Sequence, residues 1–319
     1  MKKLFVLFVA AIFMFGCAGE EKIEEQEEIE ELQYEIIERE SKIPFNATKM
    51  TPETDFYPPI LHSDEWQDPV PVEGGVNTKG GEDSAFVTPD GKTLYFFFTP
   101  DVSVPVEEQV TDGVTGIYVS KKVNGEWGEA ERVFLQDPGK LSLDGCEFVQ
   151  GNEMWFCSAR EGYTGVHWFT AEYDREWKNW EYADEKLNDE YMIGEMHITA
   201  NGKELYFHRG EEDYDIWITR KNGEWGEPER IDEVNSDVNE GWPFLTQDGN
   251  ELWITRWHMG SPAIFRSIKV NGTWSEPELI ISQFAGEASL DNEGNIYFTH
   301  HFYEYGEMIE ADIYVAKKS

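Results

Sequence analysis

Two carboxylate–imidazole pairs occupy matching places in the chain. Glu195 stands seven residues before the turn glycine Gly202 and His208 six after it; Glu287 and His300 hold the same relation to Gly294. Folded as hairpins, these stretches would set each acid opposite its histidine. A buried carboxylate beside an imidazole raises its pKa and orients the ring, as general acid–base or metal chemistry requires. Arg209 and Arg256 could clamp a carboxylated ligand through paired hydrogen bonds, and Trp242 could stack on a sugar ring. The same pairs also read as ordinary cross-strand opposite charges, each contributing about 0.2–1 kcal/mol. No His–Glu spacing forms a recognised metal motif, so the sequence assigns no metal site. It names no cofactor either: no Gly-rich phosphate loop stands between strand and helix, and no Ser-His-Asp order is readable.

The elements that must position these residues recur. "TPDGKTLYFFF" from Thr88 returns as "TANGKELYFHR" from Thr199, "TQDGNELWITR" from Thr246 and "DNEGNIYFTHH" from Asp291. Each is a reverse turn between apolar strands, and Asp-Gly or Asn-Gly corners specify hairpins of the I′ type. A third strand follows ("GIYVSKK", "VHWFTAE", "DIWITRK", "AIFRSIK", "DIYVAKK"), then a tryptophan corner such as "NGEWGEAERV" or "NGTWSEPELI". Five such units begin near residues 82, 144, 193, 240 and 285. The fifth lacks its last strand, while "SDEWQDPVPV" around Trp66 stands unused before the first. Repeats of this period make arrays, and a borrowed strand that completes the final sheet closes a ring and removes an edge. The expected fold is all-β: a five-bladed β-propeller over residues 43–319, its last blade closed by an N-terminal strand.

In that fold the starts of the innermost strands and the ends of the second strands surround one channel mouth. Counting back from each turn pairs Ser84 with Phe97, Cys146 with Cys157, Glu195 with His208, Trp242 with Thr255, and Glu287 with His300. The next rung pairs Asp83 with Phe98, Gly145 with Ser158, Gly194 with Arg209, Gly241 with Arg256, and Gly286 with His301; Glu82, Asp144 and Glu240 stand one step further out. The glycines would leave open space beside the arginines. His197, His208, His258, His300 and His301 all belong to inner hairpins. With Gly151-Asn152 as a two-residue turn, Cys146 and Cys157 are direct neighbours able to form a disulfide; with Gln150-Gly151 as the turn they fall out of register.

The repeats resemble the Pro-Asp-Gly propeller repeats of TolB-type and related periplasmic proteins, from about Ser63 to the end; "TPDGKTLYF" with "GIYVS" and "TANGKELYF" with "DIWIT" carry the likeness. The resemblance implies a propeller in the cell envelope. The Tol-system protein has six blades and a separate α/β domain, so Tol function is not implied. The chain's start points outward too. Lys2 and Lys3 precede an apolar run, Leu4 to Phe15, too short for a transmembrane helix, and "MFGC" then resembles a lipobox with Cys17 as the lipidated residue. An ordinary cleaved signal peptide is the other reading of residues 1–17. Glutamate-rich residues 18–42 read as an extended or loosely helical acidic tether, with a small coiled coil as the sharper alternative.

The 319-residue chain carries 64 acidic against 26 basic residues, a formal charge of -38. Such a surface repels phosphate backbones, which excludes nucleic acid as the expected partner. The expectation is therefore a membrane-anchored, extracytoplasmic propeller that binds a ligand, glycan or envelope protein at its channel mouth, without catalysis. The alternative is a polysaccharide-active enzyme. Five-bladed hydrolases place acids at inner-strand starts, where Glu82, Asp144, Glu195, Glu240 and Glu287 fall. Oligogalacturonate lyases, built from similar repeats, hold a metal through histidines.

Overall fold

The computed structural model describes residues 34–187, 192–210 and 213–319. Cys17 lies outside them. The described residues form antiparallel sheets, with helix only in the single turns Arg39–Lys42, Val106–Gln109 and Asp184–Leu187.

Unit 1 runs Gly81–Val87, Thr93–Thr99, Gly116–Val123 and Glu131–Arg132, each strand pairing with the next. Unit 2 runs Ser142–Gln150, Glu153–Arg160, His167–Asp174 and Glu176–Tyr182. Unit 3 runs Met196–Ile198, Glu204–Arg209, Asp215–Asn222 and Glu229–Arg230. Unit 4 runs Glu240–Leu245, Glu251–His258, Ser261–Val270 and Glu278–Ser282. Unit 5 has three strands in sequence, Ala285–Leu290, Ile296–Glu304 and Glu307–Ala316. Its outer edge is taken by Val70–Pro71, which pairs Val70 with Val315 and Pro71 with Tyr314. A bridge between Trp66 and Lys318 lies just beyond. Ile60–Leu61 adds a further strand to unit 4. Units 5 and 1 share one sheet through a single parallel partnership, Ala311 with Gly81.

The turns differ from the I′ expectation. In units 1, 3 and 4 only the glycine is left-handed (Gly91 φ +66, Gly202 φ +68, Gly249 φ +69). Gly91 N–H bonds Thr88 O at 2.8 Å and Thr88 N–H bonds Thr93 O at 2.8 Å, which makes a four-residue loop around a type I turn. Asp90, Asn201 and Asp248 serve another purpose. Each accepts from the threonine hydroxyl two residues before it, at 2.7–2.9 Å, and from the backbone N–H two residues after. Unit 2 alone has a two-residue loop, Gly151-Asn152, with Gly151 at φ +64.

The tryptophan corners join the units. Trp177 of unit 2 packs edge-on against Tyr95 of unit 1, Trp274 of unit 4 against Tyr206 of unit 3, and Trp127 of unit 1 against Tyr297 of unit 5. Trp66 does the same to Trp253 of unit 4, at 5.6 Å and 88°. It is 4% exposed, gives its Nε1–H to Gly294 O at 2.8 Å, and lies between the cations of Arg266 and Lys318. Trp66 therefore acts as the corner residue of unit 5, although it precedes unit 1 in the chain.

Residues 34–42, assigned by composition to the tether, are docked on the domain. Tyr34 stacks on Phe134 at 4.2 Å and gives its hydroxyl hydrogen to Gln136 O. Arg39 bonds Gly75 O and Val76 O. Further along the same strap, Lys49 meets Glu310 and Asp312, and Asp55 meets His300.

Candidate functional site at the channel mouth

Every innermost strand except that of unit 3 is irregular at one place. Two of its residues oppose one on the second strand, between Asp83 and Phe86, Gly145 and Phe148, Gly241 and Phe244, and Gly286 and Ser289. At each bulge one residue is left-handed: Ser84 (φ +53), Cys146 (φ +54), Trp242 (φ +51) and Glu287 (φ +56). A non-glycine residue there is strained by about 1–3 kcal/mol, and such strain concentrates at functional sites. A bulge re-aims the side chains around it. Here the result is a cavity of about 60 Å³ lined by three consecutive residues from each of the five inner strands. That arrangement is a β-propeller.

The expected register is also shifted, by one residue at the bulges of units 1, 2 and 4 and, with a turn one residue shorter, by two in unit 5. Asp83 is opposite Phe97, Gly145 opposite Cys157, Gly241 opposite Thr255, and His300 opposite Ala285. Cys146 and Cys157 are thus not opposed in register although the Gly151-Asn152 turn forms; their thiols lie within hydrogen-bond reach of each other and are not bridged. The Glu195–His208 ion pair is absent as well. His208 packs where Gly194 and Gly241 leave room, a Cβ on Gly194 falling 2.2 Å from its Nε2. The glycine rung is therefore filled, not open. Burial holds His208 down to about 4, so its ring is neutral. Glu287 and His300 separate likewise: His300 is fully buried and bonds Asp55 at 2.8 Å.

Glu82, Asp144 and Glu240 do not line the cavity. Each buries against a cation: Glu82 with Arg39 at 3.6 Å, Asp144 with Arg160 at 2.8 Å, Glu240 with Arg256 at 2.8 Å. The arginines in turn lie over Phe98, Phe169 and Phe265. Burial, offset by Arg39 and Thr78, leaves the Glu82 carboxyl raised to about 7. Arg256 is therefore committed and forms no free clamp; Arg209 lies over Trp217. His258 sits beside Phe265 at the end of its strand. His208, His258, His300 and His301 do not gather at one point: among the described residues no three His, Cys, Asp or Glu side chains are grouped as a metal site would require.

What remains of the expected set is Glu195, Trp242 and Glu287 in the ring, with Asp83 and His301 at its rim. Trp242 gives its Nε1–H to Glu195 Oε1 at 2.9 Å, and Ser84 its hydroxyl hydrogen to Glu287 Oε2 at 2.5 Å. Asp83 and His301 lie 3.8 Å apart. Although burial favours the neutral forms, the pairing holds Asp83 below the usual carboxylate range and His301 above its own. Glu147, on the stretch that lines the cavity, was not foreseen. It is 5% exposed, and neither carboxylate oxygen meets an N–H or O–H of another residue. Burial pushes Glu147, Glu195 and Glu287 well above the usual carboxylate range; neighbouring acids push the same way, and Cys146 adds to this at Glu195.

One step below, Phe86, Phe148, His197 and Phe244 close the channel, His197 stacking on Phe244 at 4.8 Å. His197 accepts Leu245 N–H at Nδ1, and burial holds it down to about 4. The site is an acidic cup with an apolar floor.

No protein-family model matches the chain, and no curated protein matches it. Among solved structures, an endo-arabinase from Bacteroides thetaiotaomicron is similar at 15% identity and a TM-score of 0.49, over 74% of this chain and 94% of that one. TolB from Acinetobacter baumannii is similar at 16% identity and 0.46, over 76% of this chain; the chain spans 55% of that protein's length. A gluconolactonase from Xanthomonas campestris is similar at 9% identity and 0.43, over 82% and 95%. Likeness at this distance transfers no residue role.

Proposed function

We propose that the chain is a five-bladed β-propeller, its last blade completed by the segment around Trp66, that acts as a binding module at its channel mouth. In this proposal it is carried outside the cytoplasmic membrane on a lipid at Cys17. The pairing of Val70–Pro71 on unit 5 and the Trp66–Trp253 contact support the blade count and the closure. The single observation that carries the binding reading is the acidic cup formed by five different strands around one cavity.

Its size favours binding over turnover. About 60 Å³ holds roughly two waters, against 300–1,000 Å³ for an ordinary small-molecule pocket. A sugar ring does not fit between the carboxyls, but a small group projecting from a glycan or envelope protein does. Trp257, near the end of a second strand, and Met259 and Tyr305, on the turns that follow second strands, are exposed by 46%, 95% and 97% and offer apolar contact to whatever lies across this end. The test compares the wild type with Trp242→Ala on immobilised envelope glycans and envelope extract. Wild-type retention that is lost in the variant is the expected result; equal retention by both sinks the reading.

One observation favours hydrolysis as the second reading. Asp83 is held low while Glu195 and Glu287 are held high, and carboxyls pushed apart in this way are the mark of an acid–base pair. Release of reducing ends from an envelope polysaccharide, abolished by Glu195→Gln, would establish that reading in place of the first.

A further inference from the structure

Each bulged unit has two corresponding places: the left-handed residue of the bulge, and the second-strand residue opposite the position just before it. Units 1, 4 and 5 fill them with Ser84 and Phe97, Trp242 and Thr255, and Glu287 and Thr299. Unit 2 alone fills both with thiols, Cys146 and Cys157. The fold therefore does not require cysteine at either place. The two thiols lie within hydrogen-bond reach of each other and are not bridged. An inert cysteine is usually sealed in a core. These two are half-buried and open on one pocket of about 450 Å³ between units 2 and 3, distinct from the channel cavity although Cys146 borders both. Trp168, Leu187 and Ile193 make its wall apolar, and Met192 adds a thioether. His167 and Asp184 also line it, but they bond each other at 2.7 Å and the second ring nitrogen of His167 meets Thr164 O at 3.0 Å, so neither is free to act as a ligand.

We infer that Cys146 and Cys157 bind one cuprous ion, Cu(I), which enters through this pocket. The donors left free on its wall are sulfur, and soft sulfur ligands select Cu(I) over the harder divalent ions. A closed-shell ion of single charge is content with two thiolates in a near-linear arrangement. Zinc is not: it takes three or four protein ligands, and among the described residues no three His, Cys, Asp or Glu side chains are grouped to supply them. On binding, two Cu–S bonds form and the two S–H protons pass to the buffer. Copper stays Cu(I), so no electron donor or acceptor is needed. The apolar wall limits the access of water to the bound ion. The chain's net charge of -38 draws cations toward it from solution. The site stands apart from the binding reading above, whose test turns on Trp242 and involves no sulfur.

The experiment uses the full chain carrying Cys17→Ser, which leaves Cys146 and Cys157 as its cysteines. Under anaerobic conditions the protein is titrated into the coloured Cu(I)–bicinchoninate complex, and zinc chloride is offered to a parallel sample. The expected result is withdrawal of one Cu(I) per chain, with a thiolate-to-copper charge-transfer absorption in the ultraviolet and protection of both cysteines from alkylation. Zinc should leave both open to alkylation. The outer partners of metal ligands are worth about 10–100-fold in affinity, so Cys146→Ser or Cys157→Ser, each removing one of the two sulfurs, should cost at least about a hundredfold. Both variants should fold with unchanged circular dichroism, because Ser84 occupies the place of Cys146 in unit 1 and Thr255 that of Cys157 in unit 4. Three results overturn the inference: no transfer of copper from bicinchoninate, equal transfer to either serine variant, or protection of the cysteines by zinc as complete as by Cu(I).

Discussion

Removing Trp66 tests whether the segment before unit 1 is a working part of unit 5. Its indole is 4% exposed, meets Trp253 edge-on, lies between Arg266 and Lys318, and bonds Gly294 O. A tryptophan buries about 150–250 Å², which at about 25 cal/mol per Å² amounts to roughly 4–6 kcal/mol. Alanine keeps part of that, the hydrogen bond is lost, and a cavity is left, so Trp66→Ala should cost about 3–5 kcal/mol. In a domain of this size that lowers Tm by roughly 5–9 °C. Trp66→Phe should recover about half, since the ring survives without its N–H. Phe45→Ala, at a side chain 101% exposed, is the control and should leave Tm unchanged. The assay is thermal unfolding followed by tryptophan fluorescence and far-ultraviolet circular dichroism. A Tm for Trp66→Ala within 2 °C of the wild type would refute the reasoning, because a loosely attached strand has no such cost.

The buried carboxyls predict a pH dependence with a definite sign. Glu82 is raised to about 7, and Glu147, Glu195 and Glu287 are raised well above 4.5, so above pH 4.5 the folded chain holds more protons than the unfolded one. Stability conferred by these groups is therefore present below about pH 4.5 and lost as pH rises through the folded values. Tm should fall between pH 5 and pH 8, with a shallower fall in Glu147→Gln; an equal slope in both proteins counts against the assignment. Arg39→Ala strands Glu82 as a buried acid and should cost about 3 kcal/mol, with new proteolytic cleavage before residue 60. Gly194→Ala drives a methyl into His208 and should cost about 1–3 kcal/mol, measured by urea unfolding. Alkylation of unreduced, denatured protein should label both Cys146 and Cys157; two unlabelled thiols would mean that they had bridged.

The repeat was legible because turn chemistry is local. Thr, Asp or Asn, and Gly at fixed offsets each make a bond within five residues, and the tryptophan corners mark unit boundaries whatever surrounds them. The expectation that Trp66 belongs to the last sheet rested on the same reasoning, and its contact with Trp253 is where such a corner should lie. The candidate site was only half legible. Strict alternation from the turn places Glu195 against His208 and Glu287 against His300. In unit 5 the bulge and a turn one residue shorter together move the partner of His300 to Ala285; in unit 3 His208 N–H still bonds Glu195 O at 3.1 Å, but its ring lies against Gly194 and Gly241. A left-handed Ser, Cys, Trp or Glu has no sequence signal, unlike a left-handed glycine. Glu147 was overlooked because alternation turns it away from the mouth. Aligning the units would have exposed it: the column reads Ala85, Glu147, Met196, Pro243, Ala288, with one acid among apolar residues. The pairing of Glu82 with Arg39 joins residues 43 apart in the chain through a strap that no periodicity marks.

That strap also sets a distance. With Tyr34 fastened beside Gln136, near the start of an inner strand, a chain held at Cys17 would have only residues 18–33 as its leash. Sixteen residues drawn straight reach about 55 Å. Tyr34 is fastened to the segment that leads into an inner strand, so a lipid at Cys17 would hold the acidic cup near the bilayer and confine what it can meet to a shallow layer above the membrane.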